Sequence, residues 1–190
     1  MRRAHFRECF MFRSLAFAAF SLMLAACGPG GVGGARAPAH PSQSQATATG
    51  ETRQIQIDSA NRTQVETNVR DMLGQLALQV APGATPMPGM EDVVTAIQPG
   101  TDHQFPVNLQ AGTNYSFVGV CDADCSNIDL ELLKGDTGEV VGSDLLDDDI
   151  PVVHYAATAN GRYFVRLILR TCAQAPCYIG GRALQGAAGK

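Results

Sequence analysis

The feature that most constrains this chain is a series of short apolar segments between residues 93 and 184, each cut off by a Gly- or Pro-containing turn. Residues 93–97, then Phe105, Val107 and Leu109, then residues 115–120, are β-branched or aromatic runs, separated by Pro99-Gly100 and Ala111-Gly112. Ile128, Leu130 and Leu132 fall on one side of a strand and Asp129 and Glu131 on the other. Gly135-Asp136-Thr137-Gly138 turns the chain into Val140-Val141, and residues 152–157 follow an acidic run. Asn160-Gly161 predicts a last tight hairpin, because both residues tolerate the positive φ such turns need. Residues 162–170 form the longest strand, with Tyr163, Val165, Leu167 and Leu169 inward, and residues 178–184 close the set. Seven or eight such strands without β-α-β alternation predict a mainly β fold, an antiparallel β-sandwich or jelly roll.

One helix precedes the strands. Val65, Val69, Met72, Leu73, Leu76 and Val80 recur at helical spacing, with Asn61, Arg62, Asn68, Arg70 and Gln75 mostly opposite. Asp58 or Ser59 is a candidate N-cap, Thr63 with Glu66 a second capping box, and Pro82-Gly83 a stop. Gly74 costs about 1 kcal/mol relative to Ala at the helix centre. A stripe this long needs a surface to cover it, either the following sheet or a partner.

The N-terminus reads as an export signal. Arg2, Arg3, Arg7 and Arg13 precede an apolar run, residues 14–26, that is too short to span a bilayer. Initiation at Met11 would leave a shorter signal with Arg13 alone. The run ends in Leu24-Ala25-Ala26-Cys27, which resembles the lipobox of bacterial lipoproteins and implies a lipid on Cys27 and membrane attachment in the cell envelope. Gly28 after it is similar to lipoproteins sorted to the outer membrane. The alternative is an ordinary cleaved signal. Residues 27–52 hold Gly, Ala, Pro, Ser, Gln and Thr with almost no large apolar side chain, which predicts a disordered tether. The expected organisation is therefore a signal over 1–26, a tether over 27–52, a helix and connector over 53–92, a sandwich over 93–185 and a tail over 186–190. The first 26 residues carry four Arg and one Glu, so a formal net charge of −4 for the whole becomes −7 for the rest. That balance excludes nucleic acid as the main partner, since phosphate binding needs a basic footprint.

Four cysteines remain beyond Cys9 and Cys27. An even number in an exported chain predicts disulfides. The local pairs Cys121 with Cys125 and Cys172 with Cys177 are favoured, each closing a short loop at a strand end and contributing on the order of 2 kcal/mol. A four-cysteine zinc site is the rival, disfavoured because free thiolates do not persist in an oxidising space.

The segments Phe105-Pro106-Val107-Asn108-Leu109-Gln110-Ala111-Gly112, Tyr115-Ser116-Phe117, Ile128-Asp129-Leu130-Glu131-Leu132 and Asn160-Gly161-Arg162-Tyr163-Phe164-Val165 occur in an order that resembles the bacterial pre-peptidase C-terminal domain. The resemblance covers about residues 93–184 and implies a jelly-roll sandwich. It also implies binding to proteins or polymers outside the cytoplasm, or assistance in secretion and processing, and in some members calcium. The chain departs from the family pattern in carrying no protease and in adding two cysteine pairs.

Two clusters are candidate sites. Asp122, Asp124 and Asp129 bracket one turn, and Asp144, Asp147, Asp148 and Asp149 lie in the loop after the next hairpin. Calcium takes six to eight hard oxygens, which such loops can supply if they share one end of the sandwich. The other reading is that these are solvated turn formers. Arg162, Arg166 and Arg170 fall on one strand face with Phe164 and Ile168 between them, a basic, partly apolar ladder that can dock an acidic partner. Alternatively, these Arg pair across strands with Asp129 and Glu131. No catalytic residues stand out: His103 is placed in a turn and His154 on a strand, neither beside a nucleophile. The sequence therefore points to a non-enzymatic, lipid-anchored envelope protein that binds an extracytoplasmic protein, peptide or polysaccharide. The alternative is a folding or secretion accessory of an exported hydrolase acting in trans.

Overall fold

The computed structural model describes residues 35–186. The expected signal over 1–26 and the lipidation site Cys27 lie outside the described residues. In chain order the elements are β1 (Arg53–Gln54), α1 (Ser59–Val80), β2 (Thr85–Pro86), β3 (Val93–Ile97), β4 (Asp102–Leu109), β5 (Asn114–Cys121), β6 (Cys125–Lys134), β7 (Val140–Asp144), β8 (Val152–Ala156), β9 (Gly161–Cys172), β10 (Gln174–Ala175) and β11 (Cys177–Gln185). Among the described residues the fold is mainly β with one helix, as the strand spacing predicts.

Two antiparallel sheets build the sandwich. One has the order β4-β9-β6-β7; in the other, β11 pairs with β5 on one side and with β2 and β3 on the other, and β8 flanks β5. The inner faces meet in a core of Phe105, Val107, Leu109, Ile128, Leu130, Leu132, Tyr163, Val165, Leu167 and Leu169 against Tyr115, Phe117, Val153 and Ile179. The alternation in β6 and β9 thus sends its apolar set inward, as period-two patterning requires.

The helix covers the outer face of the second sheet. Val69, Leu73 and Ala77 are buried against Val118, Val120, Tyr178 and Leu184. Close approach depends on Gly180, where a Cβ would lie 2.6 Å from Val69 Cγ1. Gly74 stays within the helix; a Cβ there would lie 3.6 Å from Arg182 Nη1, so its cost accompanies room for that guanidinium. Asp58 is the N-cap, its carboxylate accepting from the amides of Ala60 and Asn61. The second capping box does not form: Thr63 lies inside the helix and donates to Ser59 O.

Two expectations are corrected. Asn160-Gly161 is not a hairpin, because β8 and β9 belong to different sheets; residues 157–160 carry the chain across the sandwich. Gly161 does not take a positive φ, so the turn tolerance that suggested a hairpin goes unused there. The expected disorder over 27–52 is replaced, for residues 35–52, by an ordered strap on the outer face of β4-β9-β6-β7. Ala37 N donates to Gln104 Oε1, Gln43 Nε2 to Gly138 O, Ser44 N to Glu131 Oε1 and Thr49 N to Arg170 O. Beyond it, β1 pairs in parallel with β10. Apolar content underestimates this segment because it is held by backbone polar groups meeting buried side chains far away in sequence.

Candidate functional site

The sandwich has two ends, and the candidate residues divide between them. At one end both local disulfides form, Cys121–Cys125 and Cys172–Cys177, with Cα separations of 5.8 and 6.0 Å. Each bridges a corner where the chain leaves one sheet for the other. The zinc alternative is thereby replaced by the pairing the spacing favours.

The two acidic loops do share this end: Ile128 N donates to Asp148 O, and Asn127 Nδ2 to Asp147 Oδ1. Their carboxylates do not converge. Asp122 Oδ2 accepts from Tyr178 N at 2.7 Å, Asp124 Oδ1 from Gln174 Nε2, and Asp144 Oδ2 from Val152 N. Asp148 Oδ1 accepts from Ile150 N, and Asp129 pairs with Arg170 Nε at 2.6 Å on the strap side of β6. Asp149 joins none of these hydrogen bonds. Among the described residues, no group of three or more His, Cys, Asp or Glu is placed to hold a metal ion. Burial pushes the carboxyl of Asp122 up, and its Oδ1 has no hydrogen-bond partner.

The proposed basic ladder on β9 is mostly enclosed. Phe164, Arg166 and Ile168 are buried, beneath the face crossed by the strap. Arg166 Nη1 reaches Glu131 Oε2 at 2.8 Å and Ser44 O at 2.9 Å, and its Nε lies 3.3 Å from Asp102. Burial pushes the carboxyl of Asp102 up, but Arg166 and Arg36 more than offset that and hold it below its ordinary value. Burial likewise raises Asp129, only partly opposed by Arg170. Of the two readings of the ladder, the cross-strand ion pairs are the ones formed, and Arg166, Ile168 and Arg170 do not form a free docking face. Sequence alternation placed these side chains outward correctly, but outward here means under the strap.

Arg162 is different. It lies at the opposite end of β9, exposed, with its guanidinium 4.9 Å from the centroid of the Phe164 ring. Among the described residues no carboxylate forms an ion pair with it. Two open grooves meet at Asn160, Gly161 and Arg162. One, of about 510 Å³, continues along Lys134, Gly135, Asp136 and Tyr163; the other, of about 560 Å³, continues along Asn108, Gln110 and Ala111. Ala111 N donates to Asn160 Oδ1 at 2.7 Å, pinning the sheet crossing that displays Arg162. Lys134 is held by Glu139 at 2.6 Å, whereas Arg162 and the Asp136 that lines the same groove form no ion pair among the described residues. A guanidinium is planar by delocalisation, and over an aromatic face its N–H edge stays available for bidentate pairing with a carboxylate.

His103 lies on β4 rather than in a turn. His154 does sit beside a serine, which sequence spacing missed because the contact runs across strands: its Nδ1 is 2.9 Å from Ser116 Oγ. Ser116 is fully buried, and among the described residues no carboxylate is hydrogen-bonded to His154; the pair links β5 to β8.

Fold and site together define a class, a disulfide-braced antiparallel β-sandwich flanked by one helix and presenting open polar grooves. No protein-family model matches the chain, and no curated protein matches its sequence.

Proposed function

We propose that this chain is a non-enzymatic protein of the bacterial envelope, anchored through lipid on Cys27 and binding an extracytoplasmic protein, peptide or polysaccharide at its Arg162 end. What carries the reading is the exposed Arg162 guanidinium, without an ion-pair partner among the described residues, over Phe164 where two grooves meet. The lining amides of Asn108, Gln110 and Asn160 suit orientation of a polar ligand. Charge narrows its chemistry: a chain of −7 beyond residue 26 repels a polyanion, so the ligand presents an isolated carboxylate among neutral groups. The lipobox-like Leu24-Ala25-Ala26-Cys27 supports the anchor.

The test is photo-crosslinking in cells from a reactive residue placed at Gln110. A discrete envelope adduct is expected, lost on Arg162→Gln, and Cys27→Ala should move the protein from membrane to soluble fractions. An adduct that persists unchanged with Arg162→Gln would remove this site, and unaltered membrane fractionation of Cys27→Ala would remove the anchor.

A further inference from the structure

The loop between β7 and β8, at the disulfide end, has no role in the site above. It contains three of the exposed large apolar side chains of the described residues: Leu145 at 49%, Leu146 at 66% and Ile150 at 44% exposure. An exposed Leu alone needs no explanation, but three within six residues of one loop concentrate apolar surface there. Hydrogen bonds fasten the loop. Leu146 N and Val152 N both donate to the Asp144 carboxylate, Ile150 N donates to Asp148 Oδ1, and Ile128 N ties the loop to β6 through Asp148 O. A surface fixed in this way gives up little conformational entropy on association, which is what allows a few apolar anchors to dominate an interface.

Charge decides what covers it. Between residues 135 and 161 the chain has six Asp or Glu and no Lys or Arg, and four of those carboxylates lie within residues 144–149. A second copy docking patch to patch would bring like charges together, and an anionic lipid surface would repel the loop. A cationic segment with its own apolar side chains satisfies both halves of the surface. We propose that the β7–β8 loop docks a basic, apolar polypeptide segment, with Leu145, Leu146 and Ile150 as anchors and the surrounding carboxylates steering it. This surface is separate from the Arg162 grooves and stands or falls independently of them.

The test uses the full chain in a non-ionic detergent and a fluorescent amphipathic peptide of Leu and Lys, read by anisotropy, with an oligolysine of equal charge as the apolar-free control. Saturable binding of the Leu/Lys peptide is expected. It should weaken at least about tenfold in Leu145→Ser/Leu146→Ser, the scale of losing buried anchors. It should weaken also as salt is raised, since exposed charges are screened. Arg162→Gln should bind as wild type. The proposal is overturned if wild type does not bind, if oligolysine binds as tightly, or if the Leu variants match wild type. It is equally overturned if sedimentation shows a wild-type dimer that those variants dissociate, which would give the patch to a second copy.

Discussion

Replacing Arg166 with Met tests the account of the strap-covered face. Arg166 and Glu131 are 6% and 1% exposed, so the change leaves a carboxylate with almost no access to water and only the Ser44 amide as partner. Breaking a buried pair from one side costs about 3–5 kcal/mol, far above the 0–1 kcal/mol of an exposed pair. For a body of this size roughly 2–4 °C is lost per kcal/mol, so Arg166→Met should melt about 6–20 °C lower. Urea unfolding followed by circular dichroism measures the loss directly. Arg166→Met/Glu131→Leu should recover most of it, because a buried ion pair replaced by apolar groups of similar volume is often neutral. The single variant should also be cut faster by a non-specific protease within residues 37–52, since Arg166 holds Ser44 O. A single-variant loss below about 1 kcal/mol would refute the burial argument. A double variant no better than the single would show that packing, not charge, sets the cost.

Two further outcomes are expected. Gly138 has φ +75°, and a Cβ there would collide with the Pro38 carbonyl, so Gly138→Ala should cost about 1–3 kcal/mol and release the first part of the strap; protection of residues 37–43 from hydrogen exchange equal to wild type would contradict this. Burial, with the neighbouring Tyr155 phenol, pushes the Tyr163 hydroxyl up to about 12 from 10.0. Because the unfolded chain ionises first, the stability from this group is full below pH 10.0 and is lost as the pH rises toward about 12. Alkaline titration of tyrosinate absorbance should show a lagging component that is lost in a Tyr163→Phe variant.

The parts of this fold legible in the sequence are those set by local periodicity. Ile128, Leu130 and Leu132 in β6 and the inward set of β9 follow from alternation alone, Asp58 is one of the two residues that cap chemistry offered, and the two short-spaced cysteine pairs follow from loop closure. What could not be read depends on partners distant in sequence. Nothing local in Ala37 or Ser44 announces that their backbone groups meet Gln104, Glu131 and Arg166, so compositional reasoning assigned the strap to disorder. The same non-local pairing hid which of three evenly spaced arginines is free. Arg166 and Arg170 find carboxylates on neighbouring strands, while Arg162, one step beyond the strap, finds an aromatic ring. The Asp residues suggested a metal site by type and spacing, but Asp122, Asp144 and Asp148 accept from backbone amides at turns and corners, and Asp124, Asp129 and Asp147 accept from Gln174, Arg170 and Asn127.

The ordered strap also sets a length. A tether running from residue 27 to residue 52 would let the domain wander roughly 80–90 Å from an acylated Cys27, at about 3.3–3.6 Å per residue. Because Arg36 is already fastened to Asp102 at the start of β4, only nine residue steps remain, about 30 Å at full stretch. Were Cys27 lipidated as proposed, that length of chain would cap the reach of Arg36 from the bilayer at about 30 Å. Ligands would be met within a thin layer over the membrane, where confinement raises the encounter rate with anything else held to the same surface.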